Sequence, residues 1–224
     1  MKLSGNTLSI IKNFSTINQN LYVRAGNVLT TMTDSRVVYA RAEIDETFPR
    51  DFAIYDLSNF LGVLSIMGDD YDLDFQESHV VMKNGKFQIT YNYADTSVIT
   101  VPPDKILDIE PFWSFEFTHE NMSTVSRIAS YIDNPTLCFK NEDGVVYMFI
   151  TDPKNDTANT YRSTIEKTDT PVSFDCRMKM ENYKMIPGSY LCELGHKNAI
   201  HLYNERMKLN YWIAMDMSSK IVKR

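Results

Sequence analysis

The same order of elements is written twice in this chain, on either side of a proline-rich joint. In each half a longer helix comes early, strands follow, and a strand then leads into a shorter helix and a hairpin. The joint is Val101-Pro-Pro-Asp-Lys-Ile-Leu-Asp-Ile-Glu-Pro111, with three prolines in eleven residues. Proline removes a backbone donor and disfavours regular structure, so this stretch is a connector. A length of 224 residues suits one large domain or two of about 110. The repeated order selects two: 1–101 and 112–224, joined by 102–111. The halves share negligible sequence identity, so the repeat is one of elements.

Most of the chain reads as strand. Val37-Val-Tyr-Ala-Arg-Ala-Glu-Ile44 is rich in β-branched and aromatic residues. Val80–Lys83, Asn84-Gly85 and Lys86–Tyr91 form a hairpin signal, because Asn-Gly supplies the positive φ angles of a type I′ turn. A second hairpin spans Thr136 to Thr151, with Glu142-Asp-Gly144 at its turn. Further strands fit 159–168, 172–178, 189–194, 199–203 and 209–215.

Four short helices interrupt the strands. The first covers about 5–17, where Leu8, Ile11, Phe14 and Ile17 recur at helical spacing with Ile10 beside them. Ala53–Tyr55 reads as a short strand feeding the second helix, about 57–67. Asp56 caps that helix, and Leu57, Phe60, Leu61 and Leu64 form its apolar face. The third covers about 119–132 behind a Thr118 cap, with an inner stripe of Met122, Val125, Ile128, Ala129 and Ile132. The fourth, about 180–186, stops at Pro187-Gly188. The opposite faces carry small polar residues and few acids: Ser9, Asn13 and Thr16; Ser58, Asn59 and Ser65; Ser123, Ser126 and Ser130. Lys12, Arg127 and Lys184 fall near them. Such faces are either ordinary solvated surface or a surface made to lie near phosphates without gripping a base.

Charge and motifs exclude several function classes. The net charge is −6, which argues against a protein that coats nucleic acid by bulk charge. Residues 1–108 hold nine Lys and Arg against fourteen Asp and Glu, and 109–224 hold fourteen against fifteen. A local basic surface on an acidic body remains compatible with this. No apolar run reaches the roughly 18 residues of a membrane span, and no apolar signal region follows Met1, so a cytosolic location is expected. Cys138, Cys176 and Cys192 contain no Cys-x-x-Cys pair and are expected as reduced, packed thiols. His196 and His201 have the wrong spacing to ligate a metal from one helix face. No nucleophile elbow, phosphate loop, His-Glu-x-x-His or dinucleotide fingerprint is present. Gly68-Asp-Asp-Tyr-Asp-Leu-Asp74 lacks the spacing of a calcium loop and reads as a solvated acidic turn. Neither an enzyme, nor a metal, nor a cofactor is expected.

The strand-into-helix segment Ala53-Ile-Tyr-Asp-Leu-Ser-Asn-Phe-Leu-Gly-Val-Leu-Ser65 closely resembles a segment of the sliding clamps of T4-type bacteriophages. Met1-Lys-Leu-Ser4 and Lys12-Asn-Phe-Ser-Thr-Ile-Asn18 resemble the start of those clamps, and Lys184-Met-Ile-Pro-Gly-Ser-Tyr190 resembles the exit of their fourth helix. The likeness is dense over about the first 67 residues and sparse beyond. It implies an α+β fold of two similar clamp-type domains, each with two helices on one side of curved antiparallel sheets. It implies a homotrimer closed head to tail, with sheets outside and twelve helices lining a hole. Such closure also pairs exposed edge strands of neighbouring copies.

The function implied is that of a DNA polymerase processivity factor, which encircles duplex DNA and tethers the polymerase. By the same resemblance Lys12 and Lys184 face DNA, joined by Arg127 and Lys179 from less similar stretches and by Lys2 through proximity. Partner peptides, among them a polymerase C-terminus, would enter a groove near Ile106 and Leu107 of the connector and Trp212, Ile213 and Met215 near the chain end. Val37 and Val38 would form its floor. An ATP-driven clamp loader and phage transcription factors are further implied partners. The competing reading is a β-rich structural or adaptor protein of a virion, which has no reason to keep acids off four helix faces.

Overall fold

A computed structural model describes residues 1–133 and 135–223, and they divide into two compact units. The first holds 1–105 with 206–209, and the second holds 106–205 with 210–224.

The first unit opens with helix α1 (Gly5–Ile17), followed by β1 (Leu21–Val23), β2 (Gly26–Met32), β3 (Val38–Phe48) and β4 (Phe52–Ile54). Helix α2 (Leu57–Met67) and strands β5 (Asp72–Phe75), β6 (His79–Lys83) and β7 (Gln88–Asn92) complete it. The strands pair antiparallel in the orders β4-β1-β2-β3 and β5-β6-β7. Helix α1 packs on β2, β3 and α2. It buries Ile10, Ile11, Phe14 and Ile17. Helix α2 buries Leu57, Phe60, Leu64 and Met67. Leu8 and Leu61, expected in the core, are half-buried.

Three acceptors hold the N-terminal end of α1. The Ser4 hydroxyl accepts from Thr7 N–H. The two Glu46 carboxylate oxygens accept from Ser4 N–H and from the buried Thr7 hydroxyl. These contacts satisfy donors that a helix start leaves orphaned, and they set a negative charge at the positive end of the dipole. Burial pushes the Glu46 carboxyl up, but the Thr7 and Ser4 hydrogen bonds outweigh it and leave its pKa below the ordinary 4.5.

The second unit contains β8 (Pro111–Phe117), α3 (His119–Ala129), β9 (Thr136–Glu142), β10 (Val145–Thr151), β11 (Tyr161–Lys167) and β12 (Val172–Lys179). Strands β13 (Tyr190–Gly195), β14 (Ala199–Asn204), β15 (Leu209–Ala214) and β16 (Lys220–Lys223) follow. Here the orders are β15-β14-β13-β8 and β11-β10-β9-β12-β16. Phe115, Phe117 and Phe139 meet edge-on at 5.2 and 6.1 Å within the core. Thr118 and Asn121 cap α3 reciprocally. Met122, Val125 and Ala129 face inward, whereas Ile128 and Ile132 are half-buried. The three cysteines are buried and free. Burial pushes the Cys138 and Cys176 thiols up to about 12, far from a reactive thiolate.

Two local expectations are corrected. The fourth helix is a single 3-10 turn, Met180–Asn182, whose cap residue Lys179 makes no side-chain cap bond. Between the end of β12 and Pro187 there is too little chain to repay helix nucleation without a cap. The β6–β7 loop is not a type I′ turn, since neither Asn84 nor Gly85 takes a positive φ. Lys83 pairs with Gln88, so the loop has four residues. The Asn84 side-chain oxygen accepts from Lys86 and Phe87 N–H at 2.9 and 3.1 Å, closing it as an Asx turn. The primed geometry occurs instead at Asp143 (φ 50) and Gly144 (φ 75), between paired Glu142 and Val145.

Gly195 seats the end of the connector, because an added Cβ there would lie 2.3 Å from the Ile109 carbonyl oxygen. Gly195→Ala should therefore cost about 2–3 kcal/mol in urea unfolding, since backbone must move. Glu46 contributes stability that is present above the unfolded carboxyl pKa and is lost as pH falls through the lowered folded value. Glu46→Gln should accordingly flatten the loss of stability that the native chain shows between about pH 5 and 3.

Candidate DNA-facing surface and partner site

Residues of α1 and α2 line a cleft of about 420 Å³. Leu8, Leu61 and Leu64 form its apolar wall, and Lys2, Lys12 and Ser65 stand among its lining residues. The structure thus brings Lys2 and Lys12, both exposed, to one cleft. Asp69 is the acidic residue lining it. The acidic turn that follows α2 is taken up locally: Asp72 binds the Met1 ammonium, and Asp74 accepts from Gln76 and Lys83.

A second cleft, about 510 Å³, lies along α3 and is lined by His119, Ser123, Ser126, Arg127, Tyr183 and Pro187 among others. Arg127 is exposed at the last turn of α3, where a cation complements the helix dipole. Tyr183 fills the place of the shortened fourth helix, and its hydroxyl donates to Met122 O at 3.5 Å. Burial pushes that phenol well above its ordinary pKa. Lys184 is half-buried just beyond it. Lys179 is not brought to this cleft. It lies 3.7 Å from Glu181 and lines a separate depression with Arg177 and Asp216.

The connector is anchored residue by residue. In the first unit the Tyr39 hydroxyl donates toward Pro103 O and Lys105 O at 2.9 and 3.1 Å, and Arg24 donates to Pro102 O at 2.6 Å. In the second, the Trp212 indole N–H donates to Leu107 O at 3.0 Å. Between these anchors Ile106 is 69% exposed, whereas Trp212 is 2% exposed beneath half-buried Leu107. Ile213 is fully buried and Met215 nearly so. In the first unit Val38 is fully buried and Val37 half-buried, and both N–H groups donate to the Thr33 hydroxyl at 3.0 Å. Ile106 is thus open on the connector, and Trp212 is buried beneath its neighbour Leu107.

Spacing in the sequence raises His201 only as a metal ligand. In the structure its ring stacks on Trp212 at 4.7 Å and contacts Glu193 and Asn210. Strand alternation is the signal that could find it, because it puts Glu193, His201 and Asn210 on one face of three adjacent strands. The sequence also leaves two sheet edges unassigned. Strand β7 ends the three-stranded sheet and β11 ends the five-stranded one, and neither contains a buried residue. On β11 the Arg162 guanidinium lies over the Tyr147 ring at 3.6 Å while pairing with Glu142.

This architecture has known relatives. The DNA polymerase processivity factor family matches residues 4–101. The sliding clamp of Vibrio phage KVP40 is 27% identical over 222 residues, which cover 96% of this chain and 99% of that one. The sliding clamp of Enterobacteria phage T4 is 28% identical over 226 residues, 98% of each. Among solved structures, the PCNA of A. fulgidus, described with the C-terminal region of FEN-1 bound, has the same fold. Its TM-score is 0.71 at 13% identity, with 97% of this chain and 98% of that one covered. Over nearly all of its residues the chain is thus similar to sliding clamps of the T4 phage type, and residues 4–101 match the processivity factor family.

Trp212→Ala should cost about 3–5 kcal/mol in thermal or urea unfolding, as for a large side chain removed from a closed site. Ile106→Ser, at an open position, should stay within about 0.5 kcal/mol of the parent in the same measurement.

Proposed function

We propose that three copies of this chain close head to tail into a ring around duplex DNA and tether the replicative polymerase behind its primer end. Full-length similarity to two phage sliding clamps carries this reading. Residues 1–101 and 112–224 act as the two clamp domains, with 102–111 between them. The open edges β7 and β11 pair between neighbouring copies, which supplies each unpaired backbone row with a partner. Lys2, Lys12, Arg127, Lys179 and Lys184 face the duplex. Exposed Lys2 and Lys12 line one cleft, and Arg127 lies beside Ser123 and Ser126 of α3, which supports this reading. Weak, salt-screened attraction suits a ring that must slide, whereas a tight grip would stall it.

Partner peptides dock at Ile106 and Leu107 over Trp212, Ile213 and Met215. The polymerase C-terminus is one such peptide, as the C-terminal region of FEN-1 is for the PCNA of A. fulgidus. An ATP-driven loader opens the ring, and phage transcription factors share its partner site. The role is non-catalytic and takes place in the host bacterial cytoplasm. It calls for neither metal nor cofactor.

Light scattering across a concentration series tests the ring: a mass near three times 25.9 kDa that falls on dilution supports it. A monomer at every concentration would favour the structural or adaptor reading. Loaded clamp should remain on nicked circular DNA and slide off once the circle is linearised. Lys12→Glu with Arg127→Glu should shorten residence on closed circles at low salt. For each phosphate no longer neutralised, the slope of log affinity against log salt should fall by about 0.9, with no change in ring mass.

A further inference from the structure

His201 on β14 stands between two polar partners and one aromatic face. Its Nδ1 is 2.7 Å from Glu193 Oε2 on β13, and its Nε2 is 2.9 Å from Asn210 Oδ1 on β15. The ring lies nearly parallel to the Trp212 indole, at 14° with centroids 4.7 Å apart. The same indole donates its N–H to Leu107 O of the connector. A chain of direct contacts therefore runs from the Glu193 carboxylate through the imidazole and the indole to the connector backbone.

We propose that His201 is a positioning residue for the partner site: it braces Trp212, and through the indole N–H it fixes Leu107, more firmly when the imidazole is protonated. The proposal rests on the reading that partners dock at Ile106 and Leu107.

The chemistry follows from the ring's two nitrogens. A neutral imidazole has one donor and one acceptor nitrogen. Facing a carboxylate, Nδ1 carries the proton, so a neutral ring needs the NH2 of Asn210 toward Nε2. An imidazolium donates from both nitrogens and needs the Asn210 oxygen instead. A half-turn of the amide exchanges the two arrangements, so both protonation states leave every polar group bonded. The charged state adds an ion pair with Glu193 and places a cation over an indole face. Glu193, Asn210 and Trp212 face the ring from β13 and β15. On the connector side Asp108 and Glu110 are engaged by Lys197 at 2.9 and 3.0 Å. Holding Leu107 in place beforehand lowers the ordering cost of binding a peptide.

The brace is tested first on the free protein. Trp113→Phe leaves Trp212 as the remaining tryptophan of the two. Its emission should show one quenching step on acidification, because an imidazolium in contact quenches indole. His201→Gln should abolish the step and speed hydrogen exchange at the 107–109 amides about fivefold. Should Trp113→Phe fail to fold, the ring-proton resonances of His201 report the same protonation. A step that survives His201→Gln, or unchanged connector exchange, would each overturn the proposal.

A fluorescein-labelled C-terminal peptide of a T4-type phage DNA polymerase then probes the site. Tighter binding with the imidazole protonated than neutral, the difference abolished in His201→Gln, is the expected result. Equal, pH-independent binding by both proteins would overturn the role at the partner site. If no peptide binds while emission and exchange behave as expected, the partner-site reading fails and the brace itself stands.

Discussion

A surface that must lie near phosphates without gripping them has to be presented rigidly, since its side chains make no bonds that would fix it from outside. In the first unit that rigidity comes from the buried stripe of α1. Ile10, Ile11, Phe14 and Ile17 press the helix onto β2 and β3, so Ser9, Lys12, Asn13 and Thr16 are turned away from the sheet. Glu46 fixes the helix at its first turn, reaching from β3 to Ser4 N–H and the Thr7 hydroxyl. The stripe sets which face is shown, and the carboxylate sets where the helix starts. The remaining features of this surface, including the cleft shared with α2, depend on both.

The same logic is carried out less regularly in the second unit. Helix α3 is capped reciprocally by Thr118 and Asn121 and shows Ser123, Ser126 and Arg127. Its companion is a 3-10 turn followed by Tyr183, a half-buried aromatic in place of helical backbone. The turn keeps the polar face of α3 bordered without a second full dipole beside it.

The connector joins this scaffold to partner chemistry. Its backbone is held by the side chains of Tyr39 and Arg24 at its start and of Trp212 toward its end, where Gly195 lets Ile109 come close. Ile106 is left open between anchors. An apolar side chain on a fixed backbone loses little entropy when a partner covers it, which is how a short segment can be an effective docking point.

Periodicity alone determined much of this. The 3.6-residue spacing of apolar residues located α1, α2 and α3, and the alternating runs located the strands, because both patterns follow from local backbone geometry. The small polar helix faces were legible for the same reason. Tertiary structure decided what depends on residues distant in sequence. Leu8 and Leu61 look like core and instead wall a cleft, since burial depends on what lies opposite. Asn84-Gly85 reads as a primed turn, yet the Asn84 side chain closes a wider loop, while Asp143-Gly144 takes the primed form. Trp212 was legible as an aromatic near the chain end. Its hydrogen bond to Leu107 and its stack on His201 were not, because they join residues from a connector and two strands that only folding brings together.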